Sequence, residues 1–235
     1  MTRRRWIADQ VSGNRAALTG AHADHLVRVL RARVGQEFDV VANGVVRRGV
    51  VVALADSLVD FELGEEIAAE AAAIRLTLLL AIFKFDRMEW AIEKCTELGV
   101  FRMVPVIARR TDSHLVAASA KRVERWRRIA VQASEQSRRA STPEIGDPVK
   151  LPEAIAIPAG LKIVLSEVEE QSQLRDIQPA GEVLLAIGPE GGWTEDELEL
   201  LQKNGCLSAS LGPTILRAET AAIAATAITM SALNR

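Results

Sequence analysis

The sequence predicts a two-part α/β protein: a small β-barrel over residues 1–70, then a larger domain over residues 71–235 built on a largely parallel sheet. Three features carry this reading. They are a hairpin signature near the N-terminus, one nearly continuous apolar run at Ile74 to Ile82, and the alternation of strand-like and helix-like segments after it.

The hairpin comes first. Glu37 to Ala42 and Val45 to Leu54 flank Asn43-Gly44, a pair that favours the positive backbone angles of a type I′ turn. Asp56-Ser57 marks the next turn, and Leu58 to Leu63 reads as a further strand. Short strands packed into so few residues favour a small barrel over half a sandwich. The acidic, Ala-rich stretch Glu65 to Ala73 reads as a linker or boundary helix.

Ile74 to Ile82 has the pattern of a strand buried on both faces of a parallel sheet. In Asp86 to Leu98 the residues Met88, Ala91, Ile92, Cys95 and Leu98 fall at helical spacing, and Gly99 stands where a helix-terminating glycine belongs. Met103 to Ile107 predicts a second strand. Ser119 to Arg139 predicts one long helix with Val123, Trp126, Ile129, Ala130 and Ala133 on its inner stripe. Leu161 to Val168, Val183 to Ile187 and the weaker Leu207 to Leu211 predict three more strands, and Ala221 to Leu233 a closing helix.

Charge is uneven along the chain. The net formal charge is −2, yet Arg109 to Arg139 holds nine Lys and Arg against three acids, whereas Leu161 to Gly205 holds three against ten. A basic stripe on the long helix points to a polyanion such as RNA; a solvated helix face remains the alternative on charge alone. The composition, 49% hydrophobic and 26% charged, is that of an ordinary globular protein. No apolar segment follows Arg3, Arg4 and Arg5, and no 18-residue apolar run occurs, so neither an export signal nor a membrane span is expected. Cys95 and Cys206 form no CxxC pair, which fits a cytoplasmic protein, and Cys95 reads as helix core. His22, His25 and His114 offer no set of three ligands, so no metal is expected.

Ligands of open α/β sheets gather at the carboxyl ends of the strands. Two loops there stand out. The strand ending at Ile187 runs into Gly188-Pro189-Glu190-Gly191-Gly192, and Thr194 with Glu197 makes a capping box for the next helix. This matches neither GxxxxGK[ST] nor GxGxxG, so nucleotide-cradle functions lose support; a tight turn without a ligand remains the plain alternative. The second loop, Leu211-Gly212-Pro213-Thr214-Ile215-Leu216-Arg217-Ala218-Glu219-Thr220, leads into the last helix and places Arg217 and Glu219 at its mouth.

In this order, and this close to the C-terminus, the two loops resemble the cofactor segment of the SPOUT class of RNA methyltransferases, and within it the RsmE family. The resemblance spans nearly the whole chain: His25-Leu26-Val27-Arg28-Val29-Leu30-Arg31, Lys84 with Met88-Glu89, Lys94 through Glu97-Leu98-Gly99, Glu135-Gln136-Ser137 with Arg139, Pro143-Glu144-Ile145, and both loops. It departs at Thr214, where arginine is common in the family, and at Arg138, where glycine is common.

The resemblance implies a PUA-like barrel, a C-terminal domain whose chain forms a deep trefoil knot, and a homodimer. It implies S-adenosylmethionine as cofactor, held by Leu165, Ser166, Ile187, Gly188, Pro189, Glu190, Gly191, Gly192, Leu211, Gly212, Ile215 and Leu216. The implied activity is methylation of N3 of a uridine in small-subunit (16S) ribosomal RNA. Arg139 and Arg217 are candidates for orienting or stabilising the uridine, and Glu190 or Glu219 for a carboxylate role. Arg3, Arg4, Arg5, His25, Arg28, Arg31, Arg138 and Arg139 are candidate RNA contacts. The rival readings are a SPOUT enzyme acting on another base or a ribose 2′-hydroxyl, and a non-catalytic RNA-binding assembly factor on the same fold.

Overall fold

The computed structural model describes residues 5–67, 74–137, 139 and 141–231. Arg3, Arg4 and Arg138 therefore lie outside the described residues, as do 68–73 of the expected boundary helix. The chain divides into two compact units, one of residues 1–71 with 134–141 and one of residues 72–133 with 142–235.

In the first unit the strands β1 (Arg5–Ile7), β2 (Gln10–Ser12), β3 (Arg15–Thr19), β4 (Glu37–Ala42), β5 (Val45–Ala55) and β6 (Leu58–Glu66) form one curled sheet in the order β1-β4-β5-β6-β3-β2. The short helix α1 (Gly20–Asp24) and a π-helical turn at His25–Val29 follow β3. All pairs are antiparallel except β1 with β4. Among the described residues no pairing joins β1 to β2, so the small barrel expected is here a curled half-barrel sheet. Asn43 and Gly44 both have positive φ, as the predicted turn requires.

The curl centres on Gly49. The pairing of β5 with β6 shifts register between Arg47 and Gly49, and a Cβ at Gly49 would stand 2.5 Å from the Val40 side chain. Only a residue without a side chain leaves room there for Val40 of the neighbouring β4. The concave face encloses Trp6, Leu18, Leu26, Val40, Val51, Val59 and Phe61. Glu65 and Glu66, expected in a boundary helix, instead extend β6, because Glu66 still has a ladder partner in Arg47.

The second unit holds β7 (Ile74–Ala81), α2 (Phe85–Glu97), β8 (Arg102–Ile107), α3 (Ser113–Ser119), α4 (Val123–Gln136), β9 (Glu144–Ile145), β10 (Val149–Lys150), α5 (Leu151–Ile155), β11 (Leu161–Leu165), β12 (Gly181–Ile187), α6 (Glu195–Lys203), β13 (Cys206–Ala209) and α7 (Ala218–Ser231). Its seven strands form an all-parallel sheet in the order β10-β8-β7-β12-β11-β13, with β9 also on β8. Both faces are covered. One core takes Leu76, Leu78 and Leu80 of β7 with Met88, Ile92 and Cys95 of α2, Trp126 of α4 and Ala222 of α7; the other takes the alternate residues Leu79 and Ala81 with Leu184, Ala186, Leu201 and Trp193. Burial on both faces explains the unbroken apolar run of β7.

The helix expected over Ser119 to Arg139 is shorter, α4 running only from Val123 to Gln136, and a separate α3 ends at Ser119 where the long helix was expected to begin. A 3-10 turn at Ala120–Arg122 separates α3 from α4, and the Ser119 hydroxyl donates to the Val116 carbonyl, a bond that bends helices. At the other end the Arg139 amide closes onto the Ser134 carbonyl, five residues back, which stops the α-helix at Gln136. The inner stripe of Val123, Trp126, Ala130 and Ala133 is buried as expected. Strand β11 ends at Leu165 rather than Val168, which is 72% exposed.

Candidate functional site

The loops that leave β7, β11, β12 and β13 converge at the carboxyl edge of the parallel sheet, all within the second unit. They surround a cavity of about 430 Å³ lined by Leu165, Ser166, Ile187, Gly188, Pro189, Glu190, Gly192, Leu211, Gly212, Ile215, Leu216 and Arg217, that is, by most of the residues singled out in the two loops. Pockets for small molecules commonly span about 300–1,000 Å³.

Each wall is fixed by local bonding. Strand β12 ends on Ile187, and Gly188 lies flat against the Trp193 indole, where a Cβ would stand 3.1 Å from the ring. Gly192 has φ +71° and faces the Glu167 carboxylate, which a Cβ would approach to 2.5 Å. Between them the Arg110 guanidinium donates to the Gly191 carbonyl at 2.6 Å. Gly191 thus turns toward Arg110 and does not line the cavity.

The end of the loop is pinned by the predicted capping box. Thr194 Oγ1 accepts from the Glu197 amide, and the Glu197 carboxylate accepts from the Thr194 amide at 2.9 Å. The buried Glu197 also accepts from the Arg109 amide at 2.7 Å, which ties the loop to the exit of β8. On the far wall, Ser166 donates its amide to Ala209, and Ser210 exchanges backbone bonds with Ser172 and Leu174.

Charge enters through Arg87 of α2. Its guanidinium donates to Glu190 and lies 3.7 Å from Glu219 at the start of α7. Glu219 is 4% exposed, and among the described residues its Oε2 has no hydrogen-bond partner. Glu190 lines the cavity, whereas Glu219 sits behind it as the buried end of this pair.

Lys84, Arg87, Glu167, Ala209, Ser210, Ala218 and Ala221 also line the cavity, and Thr214 stands on its rim. None except Thr214 was singled out for the site from sequence. Lys84 and Arg87 follow directly on the carboxyl end of β7, so the strand-end rule that selected the two glycine- and arginine-bearing loops applies to them equally.

The candidates of the first unit do not line this cavity. Arg139 is half-buried, and burial pushes its guanidinium down to about 10, still cationic at neutral pH. His25 packs its ring on Trp6 at 5.9 Å, and Arg28 lies 3.7 Å from Asp24. Arg5 belongs to β1, and Arg31 takes a positive φ.

The basic stripe of α4 is partly neutralised. Arg125 and Arg122 converge on Glu89 at 2.7 and 3.7 Å, and Arg127 binds Glu124 and Asp147. Among the described residues of the stripe, Lys121 and Arg128 keep exposed side chains with no carboxylate in reach.

Cys95 is fully buried, and burial pushes its thiol up to about 12. Among the described residues no group of three or more His, Cys, Asp or Glu could hold a metal ion, and no helix is long and apolar enough to cross a membrane.

The family model for the RNA methyltransferase domain matches residues 70–230. The chain belongs to this RNA methyltransferase family. Within it, the ribosomal RNA small subunit methyltransferase E of Synechocystis sp. is 33% identical over 223 residues, covering 91% of this chain and 72% of the relative. The protein of the same name from Aquifex aeolicus is 30% identical over 226 residues, covering 95% and 97%.

Among solved structures, a ribosomal RNA small subunit methyltransferase E from Neisseria gonorrhoeae, bound to S-adenosyl methionine, aligns with TM-score 0.84 and 29% identity over 98% of each chain. A putative methyltransferase from Legionella pneumophila, in complex with the same cofactor, aligns with TM-score 0.84 and 27% identity over 99% and 98%.

Proposed function

We propose that the chain uses S-adenosylmethionine to methylate N3 of a uridine in small-subunit ribosomal RNA, acting as a homodimer. The observation that carries this reading is the cavity itself: both loops named from sequence, far apart from β7 in the chain, meet there with Lys84 and Arg87.

The residues present fit the cofactor. Leu165, Ile187, Leu211 and Leu216 offer apolar surface, and bare glycine backbone at 188, 192 and 212 lets amides and carbonyls approach a ligand. When bound, S-adenosylmethionine supplies a methyl group activated by its sulfonium. The chain's own task is then placement and charge.

Uridine N3 carries a proton with a pKa of roughly 9 to 9.5, so ionising it at pH 7 costs about 3 kcal/mol at about 1.36 kcal/mol per unit. Fixed cations lower that cost by stabilising the anionic base. Arg217 at the cavity rim and Arg139 are the arginines assigned to this role, with Glu190 holding Arg87 in place. Cys95 is too deeply buried to take part, and attack through N3 needs no cysteine nucleophile.

The half-barrel, with Arg5, His25, Arg28 and Arg31, is assigned the RNA-gripping role of a PUA-like domain, joined by Arg3, Arg4 and Arg138 of the sequence. The loops around β11, β12 and β13 are assigned the deep trefoil knot. The pairing of Gln173 with Ser210, which ties the loop after β11 to the one after β13, supports that assignment.

The test is mass spectrometry of ribosomal RNA from cells with and without the gene, paired with calorimetric titration of S-adenosylmethionine. A single 3-methyluridine lost from small-subunit RNA, with cofactor binding by the pure protein, is the expected result. A missing methyl group on another base or a ribose moves the target; no missing mark and no cofactor binding leaves a non-catalytic RNA-binding factor.

A further inference from the structure

The cavity contains three cations, and they are not equivalent. Arg87 is committed to Glu190 and Glu219. Lys84 and Arg217 line the same space, and among the described residues neither has a carboxylate or a hydrogen-bond acceptor as partner.

The position of Lys84 follows from the strand it leaves. Ile82 and Phe83, after β7, are buried in the core beneath the sheet edge. Lys84 is the first exposed residue beyond them, and with φ −49° and ψ 127° it turns the chain into α2. Strand β7 lies beside β12, the strand that carries the Gly188–Gly192 loop. The lysine therefore stands exposed at the end of a rigid strand, facing a pocket of mixed apolar and polar lining.

We propose that Lys84 contacts the RNA directly, its ammonium stabilising, with Arg217, the negative charge that the target nucleobase acquires on losing its proton. This rests on the methyltransferase reading above. The chemistry needed is positive charge fixed beside a developing anion, which two unpaired cations lining one cavity supply and the neutralised Arg87 does not. Lys84 is a catalytic residue in this assignment, and Arg87 a positioning residue.

The test compares wild type with Lys84→Gln and Lys84→Arg, and with Lys150→Gln as an exposed lysine outside the cavity. The substrate is small ribosomal subunits from cells lacking the protein. Cofactor affinity by calorimetry and kcat across pH are the readouts.

Lys84→Gln is expected to lower kcat by about 10²-fold at pH 7, as loss of one preorganised donor to a developing anion does. The deficit narrows toward about pH 9.5, where the base ionises unaided, because the missing charge is then no longer needed to remove the proton. Cofactor affinity stays within about twofold, Lys84→Arg recovers most of the rate, and Lys150→Gln matches wild type.

A deficit that is independent of pH, confined to KM for RNA and accompanied by a salt slope smaller by about 0.7, places the lysine on a backbone phosphate and overturns the nucleobase assignment. Loss of cofactor affinity in step with rate overturns it in favour of a cofactor contact. Unchanged rates in Lys84→Gln overturn it while the methyltransferase reading stands. A wild-type protein that transfers no methyl group removes both.

Discussion

Replacing Arg87 by methionine removes the cation between Glu190 and Glu219 while keeping most of the side-chain volume. At the observed 3.7 Å, a unit pair interacts by about 4.5 kcal/mol at an effective dielectric near 20. Arg87 is 28% exposed, so solvent screens part of this, while Glu219 is buried and, among the described residues, has one oxygen without a hydrogen-bond partner. Stranding a buried charge commonly costs about 3–5 kcal/mol, and the screening sets the expectation at about 3 kcal/mol for Arg87→Met.

If the cost is an uncompensated carboxylate, Glu219→Gln in the same chain removes the charge that suffers, so the double variant regains at least about 1 kcal/mol over Arg87→Met. Urea unfolding followed by tryptophan fluorescence measures this, since Trp126 and Trp193 both lie in the core of the second unit. A single-variant loss below about 1 kcal/mol, or a double variant whose losses simply add, refutes the assignment of Arg87 as the neutralising partner of Glu219.

Other consequences follow from the same geometry. Gly192→Ala forces a side chain into a backbone with φ +71° and against Glu167, so cofactor affinity measured by calorimetry falls by about tenfold or more, and unchanged affinity would free that wall from the binding role. For RNA binding, Arg128→Gln reduces the slope of log affinity against log salt by about 0.7, whereas Arg125→Gln, whose charge is held by Glu89, leaves it unchanged; equal effects would dismiss the neutralised-stripe account. Burial raises both the Cys95 and Cys206 thiols, so at about pH 8 neither reacts within minutes with a disulfide reagent until the chain is unfolded, and rapid stoichiometric labelling would contradict that. Burial also raises the Glu135 carboxyl, despite His22 at 3.0 Å. Between the ordinary value near 4.3 and the raised one the folded state holds more proton than the unfolded, so stability declines as pH rises through that window, and Glu135→Gln flattens the decline.

What could be read from the residues alone was local. Asn43-Gly44 announces its turn because both positions need positive φ, and Thr194 with Glu197 announces a helix start because the two side chains cap each other within one turn. The two ligand loops were legible because strand ends and glycines are local signals. Arg87 was not, since its bond to Glu190 joins residues 103 apart in sequence. The partial neutralisation of the basic stripe was hidden for the same reason: Glu89, which pairs with Arg125, lies 36 residues upstream on another helix. The break at Ala120–Arg122 was hidden because the inner stripe begins only at Val123, so its spacing is the same whether the helix starts at Ser119 or at Val123. Strands β1 to β3, of three to five residues, are too short to show a period, and their pairing depends on β4 and β6.

The strand order has a bearing on how the protein is made. Ile74 of β7 pairs with Gly181 of β12, and the cavity draws on residues from Lys84 to Ala221. Long loops must therefore close before any of the pocket's walls face one another, which slows assembly. A ribosome that has translated only as far as residue 200 carries β7, β11 and β12 but neither β13 nor the loop and helix beyond it. Unfinished copies thus have no pocket with which to sequester a ligand, and a truncation after residue 200 of 235 still forfeits the site.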